Sequence, residues 1–159
     1  MNLRVRSRAL ALLANASAAL VLLPVLLLSC SSASGTTTRA GYVKRANAIC
    51  ADMNRKASAL AKPGDSAPQL IDFLTKGQAI TAGALVKLRA LAMPAGDEAT
   101  LRAIYAGIDK QLGDFDVLIA SARGGSQSIL TAAETNLETD SKALTDAADA
   151  YGLTECGTK

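Results

Sequence analysis

Apolar residues recur at intervals of three and four along most of this chain, in four segments separated by proline, glycine or small polar residues. This spacing places apolar side chains on one face of an α-helix. Glycine, alanine and aspartate interrupt every alternating pattern of β-branched residues, so we predict no strand. The predicted helices cover about residues 40–61, 66–91, 97–124 and 126–152.

Residues typical of helix ends separate these segments. Lys62-Pro63-Gly64 ends the first helix, Asp97 is a suitable cap for the third, and Gly124-Gly125 separates the third from the fourth. Helices of similar length that are joined by short turns pack against antiparallel neighbours. We therefore predict an all-α fold, an up-down-up-down four-helix bundle over residues 40–159.

The first 29 residues have the composition of an export signal. Three arginines in the first eight residues precede an apolar run over 9–28, which ends in Leu27-Leu28-Ser29-Cys30. This tetrapeptide resembles the bacterial lipobox. The resemblance implies that Cys30 receives a diacylglyceryl group and that cleavage after Ser29 removes residues 1–29. The alternatives are an uncleaved membrane helix, since roughly 20 apolar residues span a bilayer, and ordinary secretion.

Residues 30–39 are rich in serine and threonine and predict a flexible tether between the lipidated Cys30 and the helical domain. Its length would hold the domain within roughly 20 Å of the membrane surface. Loss of the leader would leave 14 basic and 14 acidic side chains, so the excess of positive charge belongs to the leader. The basic residues also lack interleaved aromatic residues, and we expect no nucleic-acid partner.

The chain has three cysteines, and an odd number in an exported protein requires an explanation. If Cys30 carries the lipid, Cys50 and Cys156 remain as a pair, and an oxidising compartment favours a disulfide between them. The bond would close a loop of about a hundred residues, worth roughly 4 to 5 kcal/mol in the chain-entropy model. We expect no catalytic thiol, because the chain has no histidine to act as its base.

The absence of histidine also excludes the Ser-His-Asp triad and imidazole metal ligands. No glycine-rich phosphate loop is present. Asp114 and Asp116 point to different sides of their helix, so they form no acid–base pair. We therefore predict a protein without enzymatic activity, cofactor or metal.

The apolar stripe of the fourth helix, which includes Ile129, is interrupted by Asp140 and Ser141 between Leu137 and Leu144. A carboxylate turned into a bundle needs a partner or has a raised pKa. One interpretation is therefore a buried polar site for a ligand. The other is a slight rotation of the helix that leaves Asp140 in solvent and buries only Ser141.

Two motifs at the ends of the helical domain carry a family resemblance. Tyr-Val-Lys-Arg-Ala-Asn-Ala-Ile-Cys occupies residues 42–50, and Ala-Tyr-Gly-Leu-Thr-Glu-Cys-Gly occupies residues 150–157. Together they resemble small uncharacterised lipoproteins of actinobacteria, which combine an Asn-x-Ile-Cys helix with a Gly-Leu-x-x-Cys tail. The resemblance implies a helical, disulfide-closed envelope domain. It implies no activity, substrate or catalytic residue.

We expect a lipoprotein anchored to the outer face of the bacterial cell membrane, which acts as a non-catalytic module that binds an envelope protein or the cell wall. This function predicts a filled core and an exposed apolar patch. The alternative is a carrier or sensor of a small or lipidic ligand between the helices. That function requires a cavity of at least roughly 300 Å³ with convergent polar groups, for which Asp140 and Ser141 are the candidates.

Overall fold

A computed structural model describes residues 37–64 and 66–157. This part of the chain folds into four helices and contains no strand, so the predicted all-α four-helix bundle is confirmed. The leader, Cys30 and most of the tether lie outside the described residues. The helices are α1 (Arg39–Ser58), α2 (Ala67–Arg89), α3 (Glu98–Gly124) and α4 (Gln127–Tyr151).

The larger core cluster shows that successive helices run in opposite directions. It combines the beginning and middle of α1 with the second half of α2, the first half of α3 and the second half of α4. An up-down-up-down order produces this combination, because alternate helices start at opposite ends of the bundle. The least exposed side chains in this cluster are those of Tyr42, Ala46, Cys50, Leu101, Ala148 and Leu153.

A smaller core cluster lies toward the other end and is formed by three helices only. Leu74 of α2, Leu118 and Ile119 of α3, and Ala133 of α4 are buried there, and no residue of α1 joins them. The reason is that α1 ends at Ser58, three residues before the predicted end. Pro63 cannot continue a helix, since it lacks an N–H and its ring would clash with the carbonyl four residues earlier.

Close backbone contacts within the described residues join only helices that are consecutive in the chain. In particular, the backbones of α1 and α4 are not in direct contact, although a closed bundle would make them neighbours. The C-terminal segment 152–157 links these two helices instead. Gly152 makes the turn possible with a φ of 102°, and the N–H of Leu153 donates to the carbonyl of Ala148 at 2.8 Å.

Two details differ from the sequence-based predictions. Ile129, expected in the buried stripe of α4, is 56% exposed, and the next residue, Leu130, packs against the smaller cluster. Asp97 precedes α3 as predicted, but its side chain makes no capping hydrogen bond. Its carboxylate accepts a hydrogen bond from the Tyr151 hydroxyl at 2.7 Å instead.

Across 37–64 and 66–157, every helix is too short or too polar to be a membrane span.

Candidate functional site

The segment after α4 is fastened to α1 by a covalent bond. The Sγ atoms of Cys50 and Cys156 lie 2.07 Å apart, and their Cα atoms are separated by 4.9 Å. Cys50 lies in the middle of α1 and is almost completely buried. The two cysteines that we predicted to pair are therefore at disulfide distance. A cross-link over 106 residues is worth roughly 4 to 5 kcal/mol in the chain-entropy model.

Asn47, one turn before Cys50, adds polar contacts to this fastening. Its Nδ2 donates to the carbonyl of Gly152 at 3.1 Å, and its Oδ1 accepts from the N–H of Glu155 at 3.2 Å. Asn54 donates from Nδ2 to the carbonyl of Glu155 at 2.8 Å. Both asparagines therefore hold the backbone of the segment 152–157 against α1, which is a structural role.

Three tyrosines fill the end of the bundle where α1 begins. Tyr105 donates from its hydroxyl to the carbonyl of Leu88 at 2.9 Å, so its hydroxyl oxygen is available to accept from Tyr42 at 2.5 Å. Tyr42 is completely buried, and desolvation raises its pKa. Desolvation and then the hydrogen bond to Asp97 raise the pKa of Tyr151 to about 12. The hydroxyls of Tyr42 and Tyr151 therefore stay protonated at neutral pH.

Asp140 lies at the interface of α3 and α4, where it is neither free in solvent nor sealed in the core. Its side chain is 19% exposed, and its Oδ1 accepts from Lys110 Nζ at 2.5 Å. The carboxylate of Asp114 lies beside it, and Asp114 Oδ2 is buried without a hydrogen-bond partner. Desolvation and then the neighbouring Asp140 raise the pKa of Asp114. The three side chains form a mixed charge cluster across the helix interface.

Ser141 is half-buried and accepts a hydrogen bond from Gln111 Nε2 at 2.8 Å. This contact and the Lys110–Asp140 ion pair are adjacent bonds between α3 and α4. The rotation of α4 therefore lies between the two predicted alternatives: both polar residues are partly buried, and both have partners on α3. The arrangement can stabilise the helix pair and can also present Ser141 to a ligand.

A central cleft of about 200 Å³ lies where the two core clusters meet, and all four helices line it. Its walls include Met53 of α1, Phe73 of α2 and Phe115 of α3, and Cys156 also borders it. Gln111 and Ser141 contribute polar groups, as the carrier hypothesis requires. Asp140 is not part of its lining. The volume is below the roughly 300 Å³ that is typical of small-molecule sites.

A second depression, which we call the α2–α4 groove, adjoins the central cleft at Ser141. It has a volume of about 320 Å³, with α2 and α4 on its two sides and Leu118 of α3 at its base. Its remaining lining residues are Leu70, Leu74, Leu130, Glu134, Leu137 and Glu138. The groove is therefore apolar inside and acidic along its α4 edge.

The described residues were compared with the ligand sets of metal sites and with known proteins. Among the described residues, no three cysteine, aspartate or glutamate side chains are grouped as metal ligands. Asp114 turns toward Asp140, whereas Asp116 accepts from Gln78 at 2.7 Å, in agreement with their predicted divergence. No protein-family model, curated protein or solved structure matches the chain.

Several residues of the site region were not predicted from the sequence. The partners of the two polar residues of α4, Lys110 and Gln111, lie on α3 and have no signal of their own in the sequence. Tyr42 is completely buried beside the predicted stripe of α1. Its position one turn before Ala46 could have indicated a buried hydroxyl.

Proposed function

We propose that this chain is an exported envelope lipoprotein, held on the outer face of the bacterial cell membrane by a diacylglyceryl group on Cys30. Its helical domain acts there as a non-catalytic module that binds another envelope component. The observation that carries the proposal is the distance between Cys50 and Cys156. A disulfide favours an oxidising compartment, and it leaves Cys30 as the remaining cysteine of the three.

The side chains of the described domain support a binding role over a catalytic one. The buried hydroxyls of Tyr42 and Tyr105 and the half-buried Asn47 are occupied by bonds that hold the fold together. The α2–α4 groove is an apolar surface that the bundle leaves uncovered. An uncovered apolar surface beside polar residues is typical of a site that binds another molecule.

Mass spectrometry of the chain purified from bacterial membranes tests the anchor. The expected product begins at Cys30 and carries the added mass of the lipid, with Cys50 and Cys156 oxidised. The Cys30→Ser variant should lack the lipid and leave the membrane fraction when the leader is removed. Recovery of the native chain with an intact leader, or with free thiols at both other cysteines, would refute the proposal.

The second candidate function is a carrier of a small apolar ligand, and the central cleft favours it because Gln111 and Ser141 contribute polar groups to an apolar space. A bulky residue in the cleft tests it. Gly77→Leu fills the cleft, whereas Gly83→Leu places the same side chain on the exposed side of α2, away from the cleft. Native mass spectrometry should show a bound small molecule in the native chain and in Gly83→Leu, but not in Gly77→Leu. Equal occupancy in all three chains, or none in any, would exclude this function.

A further inference from the structure

The α2–α4 groove occupies the corner of the bundle that α1 does not reach. In an antiparallel four-helix bundle, α1 would cover the side of the smaller cluster opposite α3. Here α1 ends at Ser58, and the smaller cluster is enclosed by α2, α3 and α4 only. The groove between α2 and α4, with α3 at its base, therefore lies where a longer α1 would pack.

The side chains that border this corner are those of a helix-packing surface. Leu130 and Leu137 of α4 lie two turns apart, and Leu70 and Leu74 of α2 lie one turn apart. Leu130, Leu137 and Leu70 are only partly buried. The distance along α4 from Leu130 to Ser141 is about 16 Å at the rise of an α-helix, which is about three turns. The groove can therefore accommodate a helix of about three turns.

The charge on the edge of the groove indicates which helix it suits. Glu134 and Glu138 lie one turn apart on α4, and like charges at this spacing repel each other. Neither forms an ion pair within residues 37–64 and 66–157. Lys142 is one turn beyond Glu138, but it pairs with Asp146 at 2.7 Å instead. The two glutamates therefore offer a pair of unneutralised charges to a cationic partner.

The groove lies away from the end of the bundle where α1 begins. The chain enters the bundle at Thr38, and Arg39 donates from its guanidinium to the carbonyl of Tyr151 at 3.0 Å. The groove extends toward the opposite end, near the turn at Gly125, where α3 ends and α4 begins. The groove therefore lies toward the end of the bundle that is opposite Thr38.

We propose that the α2–α4 groove binds one amphipathic helix of a partner protein, with an apolar stripe directed at Leu130 and Leu137 and with lysine or arginine beside Glu134 and Glu138. Helices recognise such grooves through apolar residues at three- and four-residue spacing. This inference rests on the proposed binding function and identifies its site and the chemistry of its partner.

The test uses two designed helical peptides that share an apolar stripe and differ only in flanking charge, lysine in one and glutamate in the other. The purified full chain is placed in phosphatidylcholine nanodiscs, or in buffer if it carries no lipid, and each peptide is titrated by fluorescence anisotropy. We expect the lysine peptide to bind more tightly. Hydrogen exchange should slow around Leu130 and Leu137 when it binds.

Charge variants identify the site. Glu134→Gln with Glu138→Gln should weaken binding of the lysine peptide about three- to thirty-fold, which corresponds to two exposed ion pairs. Asp149→Asn with Glu155→Gln makes the same change in charge at two exposed positions outside the groove and should leave the affinity unchanged. Glu134→Lys with Glu138→Lys should reverse the preference, so that the glutamate peptide binds more tightly.

Three results would overturn the inference: equal affinity for both peptides, equal effects of the two neutralising double variants, or protection that maps to the central cleft instead of the groove. Uptake of a fluorescent fatty acid without any peptide binding would also overturn it, and would indicate a lipid carrier. The proposed function is tested separately, by the mass of the lipid on Cys30. A negative peptide experiment would therefore leave the lipoprotein proposal standing.

Discussion

The side-chain amide of Asn47 donates a hydrogen bond to the carbonyl of Gly152 across 105 residues of sequence, at a distance of 3.1 Å. Since its Oδ1 also accepts from the N–H of Glu155, this side chain supplies one donor and one acceptor to the segment that links α1 and α4. Cys50 forms its cross-link to the same segment one turn further along α1. The Asn-x-Ile-Cys motif of α1 is thus in contact with the Gly-Leu-x-x-Cys motif that follows α4.

We predict that Asn47→Ala lowers the free energy of unfolding by about 1–3 kcal/mol, because it leaves the partly buried carbonyl of Gly152 and the exposed N–H of Glu155 without their side-chain partner. Urea denaturation measures the change. The control is Asn136→Ala, on the exposed face of α4. Alanine has the higher helix propensity, so this variant should raise the free energy of unfolding by about a few tenths of a kcal/mol. Similar effects of the two variants would show that the Asn47 bonds contribute nothing.

Replacement of both Cys50 and Cys156 by alanine should lower the free energy of unfolding by about 3–5 kcal/mol, since the unfolded chain gains the freedom of a long open loop. The native chain should lose a similar amount when reductant is added during the denaturation. Reductant should have no effect on the double variant. A native chain whose stability is insensitive to reductant would contradict this prediction.

The directions of the tyrosine hydrogen bonds predict unequal effects of removing each hydroxyl. Tyr42→Phe removes a hydrogen-bond donor, while Tyr105 keeps its bond to the carbonyl of Leu88. We therefore expect the free energy of unfolding to fall by about 0.5–1.5 kcal/mol. Tyr105→Phe leaves the buried hydroxyl of Tyr42 without an acceptor and should cost more, about 1–3 kcal/mol. Thermal denaturation of both variants checks the order. The reverse order would mean that Tyr105 donates to Tyr42.

The cluster at the interface of α3 and α4 predicts a dependence of stability on pH. The pKa of Asp114 is raised in the folded state by desolvation and by Asp140. Folded protein therefore binds the Asp114 proton more tightly than unfolded protein. This contribution to stability is complete below the ordinary carboxyl pKa of about 4 and is lost as the pH rises through the raised value.

Asp114→Asn should therefore remove this decline, so that the variant gains stability relative to the native chain as the pH rises above about 4. Urea denaturation at a series of pH values measures the difference in free energy. Asp149→Asn, which removes an exposed carboxylate from α4, is the control for loss of charge alone. If the free energies of unfolding of the native chain and of Asp114→Asn changed in parallel with pH, Asp114 would have the same proton affinity in the folded and unfolded states.

The helical fold could be predicted because each helix has its own apolar repeat and its own breaker in the sequence. The early end of α1 could be placed only within about a turn, because Pro63 forbids a longer helix without fixing where the last hydrogen bond forms. Ile129 and Leu130 are both apolar, and the choice between them depends on the rotation of α4 against α3. That rotation is decided by packing and not by periodicity.

The polar contacts of the site were less accessible to prediction. Asp140 and Ser141 stood out because they interrupt an apolar stripe, but their partners Lys110 and Gln111 are ordinary surface residues of a helix in the sequence. The groove could not be predicted either, because it arises from the difference in extent between α1 and the other helices. Such a difference becomes visible only when the four helices are aligned in space.

The cross-link between Cys50 and Cys156 also determines how the domain would respond to mechanical load. A pull between the tether at residue 37 and a partner held on α4 would first strain the Arg39 and Tyr42 contacts at the start of α1. Only the residues up to Cys50 can be drawn out before the covalent bond carries the tension directly to the end of α4. The second half of α1 and all of α2 and α3 are thereby relieved of the force.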